Sequence, residues 1–435
     1  MFFVAFFLIN LYDMLQTEKW MPKLKIKNFG PIKEGFTEND GFMEIRNVTV
    51  FIGEQGSGKS TIAKIYSTFA WLEKAFFCGF DITTDFSEED FIKLCSNQLL
   101  PNFYFTYKTD LEYIGNYYKF AFKNGILYFN SIDSEKYIRP KIMYIPSERN
   151  LVSVLENIDG IKNLPTMLDL LQKEIRNAKK DYIPKITESK RDLSIYKYSI
   201  KYDSSNDSII VTEKDSNSSV SLNMSSSGLQ SVIPLVIVMD FLGLEIEKSI
   251  LEKLKNLSPV EREIVLDSIS DKTLAKNLEV FFTSGLGSTN LEKEVEKYIP
   301  ILKKYVNMCM INIVEEPEQN LFPDYQKRII ERLISHTNLN SNNQIMITTH
   351  SPYVLGVLNN CIYAGNLTKQ GRDCSSIIPL NKQVPVDNVS AYKIEDGAIH
   401  SIISDDLHLI NNSEIDGCSE VINEDYQKLE DIEFT

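Results

Sequence analysis

Asn47 to Lys64 reads NVTVFIGEQGSGKSTIAK. Its first part, Val48 to Ile52, is a short apolar run rich in β-branched residues, and it predicts a buried strand. A helical pattern opens at Lys59 and continues through Ile62, Ala63 and Ile65. Between them stands Gly53-x-x-x-x-Gly58-Lys59-Ser60, the phosphate-loop pattern. Gly53, Gly56 and Gly58 let the backbone bend so that successive N–H groups converge on phosphate oxygens. The helix that follows points its positive end at the same anion. The Lys59 side chain is long enough to reach terminal phosphates, and the Ser60 hydroxyl is a candidate Mg²⁺ ligand. The candidate nucleotide-binding residues are Gly53, Glu54, Gln55, Gly56, Ser57, Gly58, Lys59, Ser60 and Thr61.

The chain has 435 residues, 43% apolar and 11% aromatic, enough for a sizeable core. A net charge of −14 excludes a basic nucleic-acid coat, although a local positive groove for DNA or RNA contact stays open. Much of the acid lies after Ser404, where Asp405, Asp406, Glu414, Asp416, Glu420, Glu424, Asp425, Glu430, Asp431 and Glu433 face only Lys428. Cys78, Cys95, Cys309, Cys361, Cys374 and Cys418 are scattered without a Cys-x-x-Cys pair. That spacing argues for reduced thiols in the cytoplasm and against a zinc site or disulfide frame. Met1 to Tyr12 is strongly apolar but too short to span a bilayer, and it lacks a signal peptide's basic start. Residues 1–20 read as an over-called start ahead of Met21, a packing or membrane-surface extension, or an anchor. No stable membrane insertion is expected.

Leu24 to Phe29 and Met43 to Ile45 predict short strands, and Tyr117 to Phe129 predicts a hairpin turned at Asn124-Gly125. Lys141 to Ile145 predicts a strand running into Pro146-Ser147-Glu148-Arg149, followed by mostly helical sequence to Lys180. Ile195 to Leu222 reads as antiparallel strands. Ser225 to Gln230 opens an apolar helix, and Glu245 to Val306 is charged and helical. Met308 to Val314 predicts a buried strand ending in Glu315-Glu316-Pro317-Glu318, and Gln344 to Thr348 another, ending at Thr349-His350. Ala391 to Ile403 predicts a hairpin turned at Asp396-Gly397. Strands alternating with helices predict a mainly parallel α/β core, and the hairpins add an antiparallel layer.

A carboxylate at the carboxyl end of a buried strand is where a nucleotide enzyme holds Mg²⁺, normally through water, which makes Glu315 the candidate metal ligand beside Ser60. The neighbouring Glu316 is placed to orient and deprotonate a water. His350, after its own apolar strand, can donate to a phosphate at neutral pH. Ser227-Gly228 at a helix start combines hydroxyls, a glycine and N–H groups into a weaker anion site. Asp405-Asp406 reads as a solvated turn.

The set GEQGSGKST, YIPSER, SSGLQS, VEEPEQNLFP and TTHSP, in that order, resembles the ABC-class ATPases of the SMC and overcoming-lysogenization-defect (OLD) type. It is most similar to compact ATPases of bacterial anti-phage systems, including Septu-type and retron-associated ones. The resemblance covers about Met21 to Leu358. It implies a P-loop NTPase fold of ABC/SMC type that uses ATP and Mg²⁺. It also implies Lys59 and Ser60 on phosphate and metal, Glu315 on metal, Glu316 as base, and His350 as the switch histidine. Ser227 and Gly228 match the signature that contacts the γ-phosphate of a partner subunit, which implies a head-to-tail homodimer or a higher oligomer. Glu315 departs from the Asp common in transporter-type members, Leu229 replaces the second signature Gly, and Pro146 to Arg149 occupies the usual lid-loop region.

The chain then divides into an apolar extension (1–20), an ATPase domain (21–375) with insertions at about 78–140, 151–222 and 243–306, and a C-terminal hairpin with an acidic tail (376–435). The function expected is ATP binding and hydrolysis that controls an effector, plausibly a nuclease encoded nearby, with no nuclease activity of its own. The alternatives are a nucleotide-stabilised scaffold with little turnover, and a transporter ATPase subunit, against which the insertions argue.

Overall fold

A computed structural model describes residues 21–79, 86–132, 137–155, 164–188, 194–284, 302, 304–412 and 427. The first 20 residues and most of the acidic tail, on which expectations were placed, lie outside the described residues. The central sheet contains β1 (Gly35–Phe36), β2 (Val48–Gly53), β3 (Pro140–Ile145), β4 (Cys309–Glu315), β5 (Gln344–Thr349), β6 (Val389–Glu395) and β7 (Ala398–Ser401). Its order is β1-β7-β6-β2-β5-β4-β3. From β6 to β3 every neighbouring pair is parallel. The phosphate-loop strand therefore lies one strand away from the Glu315 strand, with the His350 strand between them. Parallel strands covered on both faces need apolar residues throughout, and β4 is buried along its whole length. Val48, Val50 and Ile52 of β2 face one hydrophobic cluster while Phe51 faces the other.

The register brings the functional turns level with one another. Ile52 lies opposite Thr349 and Lys393, Glu315 opposite Thr348, and Val314 opposite Ile145. All four segments emerge at the carboxyl edge, where open α/β sheets bind ligands. A mainly parallel sheet with the phosphate loop at its carboxyl edge makes this an α/β fold of the P-loop NTPase kind.

Helix α1 (Lys59–Phe77) is buried on nearly every side, because it fills the gap between the central sheet and a second, antiparallel sheet. That sheet joins Met43–Glu44, Lys23–Lys27, Asp110–Ile114, Tyr118–Lys123 and Ile126–Ser131 in this order. Its hairpin turns at Asn124 and Gly125, both with positive φ (53° and 79°). Buried Glu73 on α1 ties the layers together by accepting from Tyr113 Oη (2.8 Å) and the Tyr117 and Tyr118 N–H groups (2.6 and 3.1 Å). Burial nevertheless pushes its carboxyl up to about 7.

Helices α2 (Ser227–Glu247), α3 (Pro323–Thr337) and α4 (Pro352–Lys369) cover the opposite face. α2 is long and apolar enough to cross a membrane, but 83% of its apolar window is buried inside the protein, so here it is a core helix. The expected antiparallel region forms a separate small sheet spanning Ser194–Ser221. The charged segment after α2 forms Ile250–Lys255, Pro259–Ser268 and Lys272–Ser284, with a cluster of its own around Leu254, Val265 and Leu278. Within the hairpin after 375, β6 pairs with β2, directly beside the phosphate loop. Hairpin spacing shows that two strands pair but not which outer neighbour they take.

Candidate active site

The phosphate loop is built by backbone sterics. Gly53 has φ 148° and Gly58 φ 115°, and a Cβ on Gly53 would lie 2.4 Å from the Ile394 carbonyl oxygen. Only glycine fits there without displacing β6. No side chain caps the start of α1, where Gly58 is the capping residue. Lys59 is folded over the loop, its Nζ donating to the Gly53 and Glu54 carbonyls at 2.8 Å each. Burial lowers its ammonium to about 8, although Glu316, Glu318 and Glu315 pull the other way. Those pairings place three carboxylates within electrostatic reach of Lys59. Ser60 is exposed in the first turn, whereas Thr61 is buried. Glu54, Gln55 and Gly56 are exposed.

Glu315 is only 3% exposed. Tyr144 Oη donates to its Oε1 (2.7 Å) and the Ser147 N–H to its Oε2 (3.2 Å). Each carboxylate oxygen keeps a second lone pair, so Glu315 can hold a metal's water but is oriented first by the protein. Glu316 is more open, and its Oε1 lies 3.6 Å from His350 Nε2. Burial, and then Lys59, lower the His350 imidazole below its ordinary value against the pull of Glu316. It is therefore neutral at pH 7. Glu316 and His350 are thus brought together, with Lys59 in electrostatic reach of Glu316.

Ser227 and Gly228 form the start of α2. A Cβ on Gly228 would lie 2.7 Å from the Asn320 carbonyl oxygen, so this glycine already serves a close approach within its own subunit. Here the start of α2 packs on the turn after Glu318.

Three residues here carry roles that the motif reading did not give them. Glu318 accepts from Thr349 Oγ1 (2.6 Å) and the His350 N–H (2.9 Å) through Oε1, and its Oε2 is buried without a partner. Burial raises its carboxyl above the ordinary range. The third acid of Glu-Glu-Pro-Glu was its sequence signal. Arg149 is fully buried and donates to main-chain carbonyls on two other elements; its one signal was a lone basic residue in YIPSER. Tyr144 is the first residue of the same YIPSER motif, which by itself assigned it no role.

The residues present fit a nucleotide with Mg²⁺. Glycines form a cradle that a Cβ would fill, and two buried oxygens beside it, Ser57 Oγ and Glu318 Oε2, lack partners. Among the described residues no group of three or more His, Cys, Asp or Glu could cage a metal. Mg²⁺ is commonly held by one or two side chains with phosphates and water, and Ser60 and Glu315 are the two that would do so.

Comparisons with known proteins agree with this geometry in part. Residues 302–355 match the AAA ATPase domain, a span holding Glu315, Glu316, Glu318 and His350. No curated protein matches the chain. Among solved structures, the SMC head domain from Thermotoga maritima is 11% identical, with 88% of this chain and 98% of that one covered and a TM-score of 0.35. An SMC head bound to the C-terminal winged-helix domain of ScpA is 9% identical over 88% and 97%, with a TM-score of 0.37. A nucleotide-free ATP-binding cassette from an ABC transporter is 10% identical over 87% and 89%, with a TM-score of 0.25. The fold assignment rests on the strand order above.

Proposed function

We propose that this chain binds ATP with Mg²⁺, hydrolyses it, and uses the cycle to assemble with a second copy and control a partner effector. The observation that carries the chemistry is the convergence of Lys59, Glu316 and His350 at the sheet edge, with His350 Nε2 3.6 Å from Glu316 Oε1. Lys59 exchanges its two loop carbonyls for phosphate oxygens, while the loop N–H groups and the start of α1 orient the anion. The Ser60 hydroxyl, and Glu315 through water, would hold Mg²⁺, which when bound would supply charge neutralisation on the phosphates. Glu316 takes the proton of the attacking water, and neutral His350 beside it keeps one ring nitrogen able to donate.

The assembly reading is supported by exposed apolar side chains on the segments that flank the site. Met224 precedes Ser227-Gly228 and is 80% exposed, Phe322 follows the Glu318 turn at 74%, and Tyr353 follows His350 at 56%. Burying these side chains against a second copy would remove their apolar area from water. An effector, a nuclease in anti-phage defence, follows from the resemblance of the motif set. Steady-state phosphate release with calorimetry tests the chemistry; binding without turnover would leave the scaffold reading. Size exclusion with ATP and Glu316→Gln tests assembly, and a monomer under both conditions counts against it. The purified chain is expected to leave plasmid DNA and RNA intact, and a pull-down from its host is expected to recover a co-encoded protein.

A further inference from the structure

Arg149 is a fully buried cation whose donors go to main-chain oxygens. Its Nη1 donates to the Glu315 carbonyl (2.7 Å) and the Pro146 carbonyl (3.2 Å), its Nη2 to the Glu316 carbonyl (2.7 Å), and its Nε to the Ser231 carbonyl (3.1 Å). A buried guanidinium is tolerated only with such partners, so its place is defined tightly. Two of them, the carbonyls of Glu315 and Glu316, flank one Cα. That Cα belongs to Glu316, whose φ is 42°, a left-handed conformation uncommon outside glycine, asparagine and aspartate. The Glu316 N–H donates to the Thr348 carbonyl (2.9 Å). The peptide planes on both sides of Glu316 are therefore held, and its side-chain direction with them.

The fourth bond reaches α2 beside an internal hydrogen bond that the helix lacks. Pro234 has no N–H to give the Gln230 carbonyl one turn earlier. Ser153 Oγ supplies that bond instead (2.7 Å), next to the Ser231 carbonyl that Arg149 takes. The segment from Pro146 to Ser153 thus grips the carboxylate turn with one end and the proline-loosened turn of α2 with the other.

We infer that Arg149 is the positioning residue for Glu316, and that it ties the carboxylate turn to the helix that begins at Ser227-Gly228. Opening or closing of that helix is then felt at Glu316 without any contact between Ser227 and the nucleotide of the same subunit. This inference rests on the ATPase reading. Arg149→Gln keeps hydrogen-bond donors but cannot reach three diverging segments. It is expected to leave ATP affinity within about threefold of wild type and to lower kcat about 10²-fold, the usual effect of misplacing a reacting group by about an ångström. Because Arg149 acts through Glu316, adding Arg149→Gln to Glu316→Gln should change the residual turnover by less than about threefold. Pro234→Ala supplies the missing N–H to the Gln230 carbonyl in competition with Ser153 Oγ, and should lower kcat by about tenfold at unchanged affinity. This second variant carries the test if Arg149→Gln melts out.

The outcomes separate. A wild-type chain without turnover overturns the ATPase reading and this inference with it. Wild-type turnover with Arg149→Gln inside threefold of it overturns the inference alone. So does a full second loss in the double variant, or an unchanged kcat in Pro234→Ala where that variant carries the test.

Discussion

Two turns meet at the carboxyl edge of the central sheet, Gly53–Lys59 and Glu315–Glu318, and they are held by different means. The first is held locally. Its glycines adopt conformations closed to other residues, and its lysine is satisfied by the loop's own carbonyls. The second is held from a distance. Glu315 is oriented by Tyr144 and Ser147, Glu316 by Arg149 and the Thr348 carbonyl, and Glu318 by Thr349 and His350. A local device is written in consecutive residues and survives changes elsewhere. A distant one ties the position of Glu316 to other elements of the fold.

The largest effect that can break this contrast is expected at Glu316. Glu316→Gln should keep ATP binding and slow turnover by about 10²- to 10⁴-fold, the range for a general base. Unchanged phosphate release would shift that role to Glu318, whose buried Oε2 lacks a partner. Next comes Lys59→Ala, which removes the mobile cation of the loop and should weaken ATP binding by about 10²-fold or more in calorimetry. Wild-type affinity in that variant would unseat the phosphate-loop assignment.

A third pair of variants sharpens the local side. Gly53→Ala places a methyl against the backbone of β6 at φ 148°, whereas at Gly56, φ 77°, nothing lies within 4 Å of a Cβ. Gly53→Ala should cost about 1–3 kcal/mol of stability as strained backbone, and Gly56→Ala about 1 kcal/mol. Equal melting temperatures for the two would mean that the close approach to Ile394 does not hold the loop.

The smallest expected effect is one of pH. Burial sets the Lys59 ammonium at about 8 in the free chain, below its ordinary 10.5. Above pH 8 the amine must regain a proton to bind phosphate, so ATP affinity should fall roughly fivefold from pH 8 to 9. The sign for stability is opposite. The unfolded chain holds more protons between pH 8 and 10.5, so this group's contribution to stability rises across that window. Calorimetry against pH, repeated in Lys59→Met, checks it. An equal slope in both would assign the titration to another group.

The local half was legible for a physical reason. A phosphate loop needs glycines at fixed intervals between a strand and a helix, and the boundaries read from Val48 and Lys59 are those observed. The apolar runs before Glu315 and His350 were equally plain, since strands buried on both faces tolerate little else. Arg149 and Glu318 were not legible as site residues. A buried arginine bonded to carbonyls has the same letter as an exposed one, and only its partners distinguish them. Gly228 adds a further case: its close packing on the Asn320 carbonyl could not be read from its motif.

By itself the sequence determined the strand-loop-helix unit at Val48–Phe77, the apolar strands with their terminal acids, and the hairpin at Asn124-Gly125. Each depends on steric or hydrophobic rules acting between residues close in the chain. Tertiary structure alone decided that β6 flanks the phosphate-loop strand, that His350 lies against Glu316, and that one guanidinium binds carbonyls of Glu315, Glu316 and Ser231. Those arrangements join residues far apart in sequence. They arise because buried donors and acceptors must find partners wherever the packed sheet and helices bring them.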